Sequence, residues 1–289
     1  MDEQHGAAAH HSDHRHGEPA ELAELLDLDA EVLHSYWTEV LSWVQLAATG
    51  MDCRRILDLG AGTGTGAIAL AQRFGAAEVI AVDSDAEMLR RIDAKALEQG
   101  LSARVRTVEA DLDNGWPAIG PIDLSWASMS LHHLADPDRT LADLYANTRP
   151  GGLVAVIEFS EQLRFLPDDL GIGRPGLEAR CLEALSAEHA HALPELGSDW
   201  SARLAAAGFV LAGERTFSTA LDRPLPPATV AYASGWLRRQ RDRLAAQLAA
   251  DDLQTLAILL DGDGPESLQR RGDLRVRGSR TGTLARRAG

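Results

Sequence analysis

Cysteine is nearly missing: Cys53 and Cys181 are the only two in 289 residues. They stand too far apart for a paired-thiol metal motif, and two thiols cannot build a disulfide framework. Buried free thiols in a reducing compartment are expected instead. Basic residues are also scarce, 28 Lys and Arg against 43 Asp and Glu, for a formal net charge of −15. A nucleic acid partner needs clustered cations to displace its counterions, so none is expected. No stretch approaches the roughly 18 apolar residues of a membrane span. The first residues are polar and acidic, unlike a secretory leader. A cytoplasmic protein without membrane contact is the expectation.

What is present suits a globular enzyme or binding domain. Hydrophobic residues make up 45% and charged residues 25%, ordinary values for a packed domain. The length allows one large core or a core with additions. Residues 1–18 read as a disordered tail. Its histidines, His5, His10, His11, His14 and His16, could gather metal, but no second cluster offers a closing ligand set, so no metal is assigned.

Residues 19–50 read as an N-terminal helical cover of two helices. Pro19 suits a first helical turn, and Asp29 can cap the second helix. Leu33, Tyr36, Trp37, Val40, Leu41 and Val44 then recur at helical spacing, which predicts a stripe packed on the main domain. Tyr36 and Trp37 have a second reading, as rings covering a cation or a flat substrate at a ligand mouth.

Residues 51–160 alternate strand and helix. Strands are predicted at 55–58, 78–83, 104–109, 122–127 and 153–159, with helices between them. Such alternation predicts a doubly wound α/β fold with right-handed crossovers and a ligand beyond the C-terminal strand ends. Residues 161–198 read as an excursion that forms a lid or substrate loop. Residues 199–289 complete a seven-stranded, mostly parallel sheet, with a helical insertion at about 224–272. The arginines of the last strand read as a short tail rather than a basic face.

The chemistry concentrates in Asp58-Leu59-Gly60-Ala61-Gly62-Thr63-Gly64. An apolar strand runs into an acid and then into alternating glycines at a helix start, where a backbone can approach a nucleotide-like ligand. Two registers compete. Gly62-x-Gly64-x-x-Ala67 with Asp83 further on fits a relaxed dinucleotide fingerprint. An NAD(P)-dependent oxidoreductase of that kind would want a Tyr-x-x-x-Lys pair or its like, and Tyr145 is followed by Arg149 instead. The register starting at Asp58 resembles the first motif of the class I S-adenosylmethionine-dependent methyltransferases. Further segments share the resemblance in order: Asp83 ending the second strand, Ala110-Asp111-Leu112 after the third, Ser128-Met129-Ser130-Leu131-His132-His133-Leu134 after the fourth, and Pro150-Gly151-Gly152 before the fifth.

The resemblance covers residues 52–160 and implies a Rossmann-like fold binding S-adenosyl-L-methionine. It implies that Asp58 sits near the amino end of the methionine moiety, with Gly60, Ala61, Gly62, Thr63 and Gly64 around it. Asp83 and Ser84 would meet the ribose; a carboxylate can accept from both vicinal hydroxyls. Met88 would lie against the adenine, although core packing is an equal reading. Asp111, flanked by Ala110 and Leu112 and rivalled by Asp113, would face the adenine amino group. Ser128 and His133 would line the cofactor. His132 and His133 are the catalytic candidates, since imidazole suits proton abstraction at neutral pH. Glu158 is expected at the pocket mouth, holding a substrate amine. The implied activity is methyl transfer to an O, N or C nucleophile of a small molecule. A cofactor-binding relative without catalysis is the alternative, and a homodimer is compatible with the reading.

Overall fold

The computed structural model describes residues 13–289, with side chains from Ala20 onward. The reading of 1–18 as a tail therefore falls partly outside the described residues. Within them, α1 (Asp13–Val32) begins six residues before Pro19, and α2 (His34–Ala47) follows after a break at Leu33.

The central unit follows as β1 (Arg55–Leu59), α3 (Thr65–Arg73), β2 (Glu78–Asp83), α4 (Ala86–Glu98), β3 (Val105–Glu109), β4 (Ile122–Ser128), a 3-10 turn (Leu131–His133), α5 (Pro137–Asn147) and β5 (Thr148–Arg164). Then come α6 (Leu177–Ala192), α7 (Trp200–Ala206), β6 (Val210–Leu221), α8 (Thr229–Arg243), α9 (Ala250–Leu260) and β7 (Val276–Arg286).

The seven strands form one sheet in the order β3-β2-β1-β4-β5-β7-β6. Strands β1 to β5 pair in parallel, and β7 runs antiparallel between β5 and β6. This is the predicted α/β, mostly parallel sheet. Both faces are covered at the centre of the sheet, so β1, β2, β4 and the middle of β5 are nearly continuously buried rather than alternating. Successive residues of β5 divide between the two faces: Leu153, Ala155 and Ile157 enter the larger core, and Val154 and Val156 enter the smaller one. Helices α2, α3, α4 and α8 cover the first face, and α5 and α7 the second.

The order reverses between β1 and β4, and a crevice opens beyond their C-terminal ends, as the topology requires. Strand β5 continues past the predicted Phe159 to Arg164 because β7 goes on pairing with it, from Leu153↔Arg286 to Arg164↔Arg277. Among the described residues no helix is long and apolar enough to cross a membrane.

Candidate functional site

A cavity of about 550 Å³ lies in this crevice, within the ordinary range for small-ligand sites. Its floor is the glycine turn after β1. Gly60 has φ +64°, and a Cβ there would stand 2.5 Å from that of Ser130. Ser130 is fixed by donating its hydroxyl to the Leu59 carbonyl at 2.7 Å. Gly64 is also left-handed and starts α3, whose first turn faces the cavity through Thr65 and Gly66.

Asp83 locks the turn to the end of β2. One of its oxygens accepts from the Gly62 N–H at 2.8 Å, the other from the Asp85 N–H at 3.0 Å. Each oxygen keeps acceptor capacity for a ligand hydroxyl. Asp85 in turn caps α4, accepting from Glu87 and Met88 N–H groups, which brings Met88 to the cavity wall. Met88 is 4% exposed, so it packs in the core and lines the cavity at once.

Asp58 is 2% exposed, and its Oδ2 has no hydrogen-bond partner among the described residues. Burial pushes its carboxyl up to about 7, with the Ala67 N–H opposing and the nearby Asp83 carboxylate adding to the rise. A buried acid in this state calls for a cation. Asp111 accepts from the Asp113 N–H at 2.9 Å and the Asn114 amide at 2.7 Å, while Asp113 accepts from Ala135 and Asp136 N–H groups. Both acids line the cavity, along with Ala110 and Leu112. Gly60, Ala61, Gly62, Thr63, Ser84 and Ser128 line it too, as do His132 and His133. The structure thus gathers these residues into one space; Gly64, read with them as cofactor-binding, caps α3 against Ile92 and is not among the lining residues.

Further sequence expectations are corrected. Glu158 does not line the cavity. It is 5% exposed and sits behind the 3-10 turn, accepting from the Leu131 N–H at 3.2 Å and bonded to His132 Nδ1 at 2.6 Å. A buried carboxylate takes the nearest donors, and these are already inside the fold. Tyr36 is core rather than cover: it is 7% exposed and packs edge-on to Trp37 and Phe217. Trp37, one position on, does reach the cavity.

Asp29 does not cap a helix either. It lies inside α1, is 7% exposed, and lines the cavity. Its carboxylate accepts from Tyr232 Oη at 2.8 Å, Trp37 Nε1 at 3.2 Å and the Arg280 guanidinium at 3.3 Å. Arg280 crosses over the Tyr36 ring, 4.8 Å from its centre. Although desolvation opposes its charge, Asp29 holds the guanidinium firmly protonated.

The remaining walls come from α1, α6 and α8. Leu22, Leu25 and Leu26 of α1 contribute, as do His189 of α6 and the following Leu193 and Leu196. Helix α8 presents Tyr232, Trp236, Arg239 and Arg243. The sequence reading of α8 passed over the two arginines and Tyr232; their i, i+4, i+7, i+11 spacing on one helix face was the available signal. Burial together with neighbouring His132 and His189 lowers the His133 imidazole to about 4, so it is neutral near pH 7. His189 is lowered as well, by burial and then by Arg243.

Residues 56–152 match the methyltransferase domain family. The chain is 37% identical over 105 residues to trans-aconitate 2-methyltransferase of Azoarcus sp. (strain BH72), covering 36% of this chain and 39% of that one. It is 38% identical over 107 residues to demethylmenaquinone methyltransferase of Thermus thermophilus, covering 37% and 47%. The match therefore spans less than half the length of these curated relatives. Across the fold, the chain resembles a crystal structure of a Bacillus halodurans C-125 protein described as a candidate methyltransferase, with TM-score 0.54 and 19% identity over 86% of this chain and 99% of that one. It also resembles Haemonchus contortus phosphoethanolamine N-methyltransferase 2, with TM-score 0.51 and 16% identity over 88% and 53%. The likeness to methyltransferases in sequence therefore lies in the central segment, residues 56–152.

Proposed function

We propose that this protein transfers the methyl group of S-adenosyl-L-methionine to a small molecule held between the glycine turn and helix α8. The observation that carries the reading is Asp58: a buried carboxylate with an unpartnered oxygen, beside a left-handed glycine turn, in the one crevice the sheet order creates. The cofactor's ammonium group supplies the cation such an acid lacks. Relatives that share this segment act on trans-aconitate, on a malonyl-[acyl-carrier protein] and on menaquinone precursors, as their names state. The shared part is the cofactor half; the acceptor half is this chain's own.

Bound there, the cofactor supplies an electrophilic methyl carbon on a sulfonium. The protein's work is to hold, align and dry. Asp83 takes the ribose hydroxyls while its own backbone bonds keep it from turning. Met88 and Asp111 take the faces and edge of the adenine. Trp37 and Leu22, Leu25 and Leu26 of α1 close over the turn and exclude water, and alignment of that kind is the main contribution a displacement needs. His132, held by Glu158, offers a ring nitrogen to an acceptor that must lose a proton.

Incubation with methyl-tritiated S-adenosylmethionine and a fractionated cell extract tests the reading. Label is expected in the low-molecular-mass fraction. Label only in protein or nucleic acid would overturn the small-molecule assignment, and none above a heat-killed control would overturn transfer.

A further inference from the structure

The cavity is electrically two-sided. Six carboxylates line it among the described residues, and five of them, Asp58, Asp83, Asp85, Asp111 and Asp113, follow strands β1 to β3. The sixth, Asp29, is saturated by Arg280, Tyr232 and Trp37. Helix α8 borders the same cavity with a different chemistry, its lining residues being Tyr232, Trp236, Arg239 and Arg243. Arg243 bonds Glu188 through its Nε at 2.9 Å, which leaves the rest of its guanidinium fork for a second acceptor. Arg239 is half-buried and makes no ion pair with the described residues. Two arginines four positions apart on a half-buried face, in a chain of net charge −15, are not explained by solubility. Asp58 claims the cofactor's ammonium, and the cofactor's carboxylate is the rival anion for this pair; retention of S-adenosylhomocysteine affinity in the R239Q/R243Q variant separates the two.

A second observation points the same way. His133 and His189 sit where α6, α8 and the 3-10 turn converge. Burial first, and then the neighbouring imidazoles, lower His133, and burial and then Arg243 lower His189, so the arginines carry the charge at this end. Glu188 is the one acid that opposes this at His189, and it is already engaged by Arg243. Of the two arginines at this end, Arg243 has Glu188, and Arg239 has no acid partner among the described residues. Between the two ends the walls are apolar and aromatic: Trp37, Phe159, Leu163, Leu193 and Trp236.

We propose that the acceptor is an organic carboxylate with an apolar body, its carboxylate bound by Arg239 and Arg243 and its body packed against Trp37, Phe159 and Trp236. This inference rests on the methyltransferase reading, since it takes the acid-lined end as the cofactor's. Arginine suits the role because its planar fork meets a carboxylate with two parallel bonds. The same charges select against amines, which would face a like-charged wall.

Titration calorimetry on the full chain separates the two readings. S-adenosylhomocysteine is bound first; if it fails to bind, the cofactor reading falls. The loaded protein is then titrated with benzoate, phenyl phosphate, benzamide and benzylamine, which share one body and differ in the head group. Benzoate is expected to bind, the amide and amine at least about tenfold more weakly, in line with loss of a charge-assisted pair. The R239Q/R243Q double variant is expected to keep its S-adenosylhomocysteine affinity, which reports an intact fold, and to lose benzoate binding by a similar factor. Tighter binding of phenyl phosphate than of benzoate would overturn the carboxylate assignment. Equal binding of the amine or amide, no benzoate binding to the loaded protein, or unchanged benzoate affinity in the double variant would overturn the proposal itself.

Discussion

Glu158 holds His132 by its Nδ1 at 2.6 Å, with both side chains almost wholly buried. Strand β5 and the turn after β4 are brought together at this one bond, and the second Glu158 oxygen accepts from the Leu131 N–H. In the neutral ring this fixes the proton on Nδ1 and leaves Nε2 as the acceptor, the arrangement by which a carboxylate orients a catalytic imidazole. Nitrogen-15 NMR of the His132 ring is expected to show the Nδ1–H tautomer. E158Q can present an amide donor instead, and is expected to shift the population toward Nε2–H. An unchanged tautomer would mean that Glu158 does not set it. On an identified acceptor, E158Q is expected to lower kcat by about 10- to 100-fold, the usual cost of losing such an orienting partner, with a smaller change in KM.

Asp83 bridges the glycine turn and the start of α4, and in our account it also takes the ribose hydroxyls. D83A removes both sets of bonds. Affinity for S-adenosylhomocysteine is expected to fall by about 1–3 kcal/mol, measured by calorimetry, as loss of an acceptor of charged hydrogen bonds typically costs. Unchanged affinity would mean that the ribose is held elsewhere.

The pH dependence follows from Asp58. Its carboxyl stands at about 7 in the folded protein against an ordinary 3.8. The raised value means that the protonated form is favoured by folding, so stability from this group is complete below about pH 4 and is lost as pH rises toward 7. A bound ammonium reverses the preference and expels the proton. Affinity for S-adenosylhomocysteine is therefore expected to rise between pH 6 and about 7, by at most about tenfold per pH unit, and to level off above. Proton release is expected as a buffer-dependent heat, and D58N should abolish it. Glu178 is also raised to about 7 by burial, but it binds the Phe165 and Leu166 N–H groups away from the cavity. It contributes to the stability profile and not to the affinity profile.

Gly60 is the turn's sterically closed position. G60A would force an L side chain into left-handed φ, at about 1–2 kcal/mol, with its Cβ 2.5 Å from that of Ser130. Urea denaturation is expected to show a loss of about 2 kcal/mol or more. A loss below 0.5 kcal/mol, the scale of a neutral surface change, would contradict the geometry.

The central unit was legible because its signals are local. The acid ending β1, the alternating glycines and the acid ending β2 each lie within one strand and its following turn, and strand spans read from apolar runs match the sheet closely. The acceptor half was not legible, because its partners meet only in three dimensions. Asp29 and Arg280 are 251 positions apart; separately, one reads as a helix cap and the other as a strand-end charge. Glu158 sits in β5, where strand periodicity cannot tell a side chain aimed into a cavity from one buried behind a turn. Tyr36 and Trp37 are neighbours on α2, so helix geometry turns them to different sides, and only Trp37 reaches the ligand space.

Asp29 also allows a stability test of that hidden half. D29A would leave the Arg280 guanidinium, 6% exposed, without its carboxylate, and removing one partner of a buried pair costs about 3–5 kcal/mol. Thermal unfolding is expected at a markedly lower temperature. A Tm within a degree or two of the parent would mean that Arg280 reaches water.

The central claim is that the crevice between β1 and β4 is built for a sulfonium cofactor and its product rather than for a dinucleotide. Calorimetric titration of the full chain with S-adenosylhomocysteine and, separately, with NADH tests this most directly. Saturable binding of S-adenosylhomocysteine, abolished or strongly weakened in D58A, with no heat from NADH, is the predicted result. Binding of NADH with none of S-adenosylhomocysteine would contradict the account.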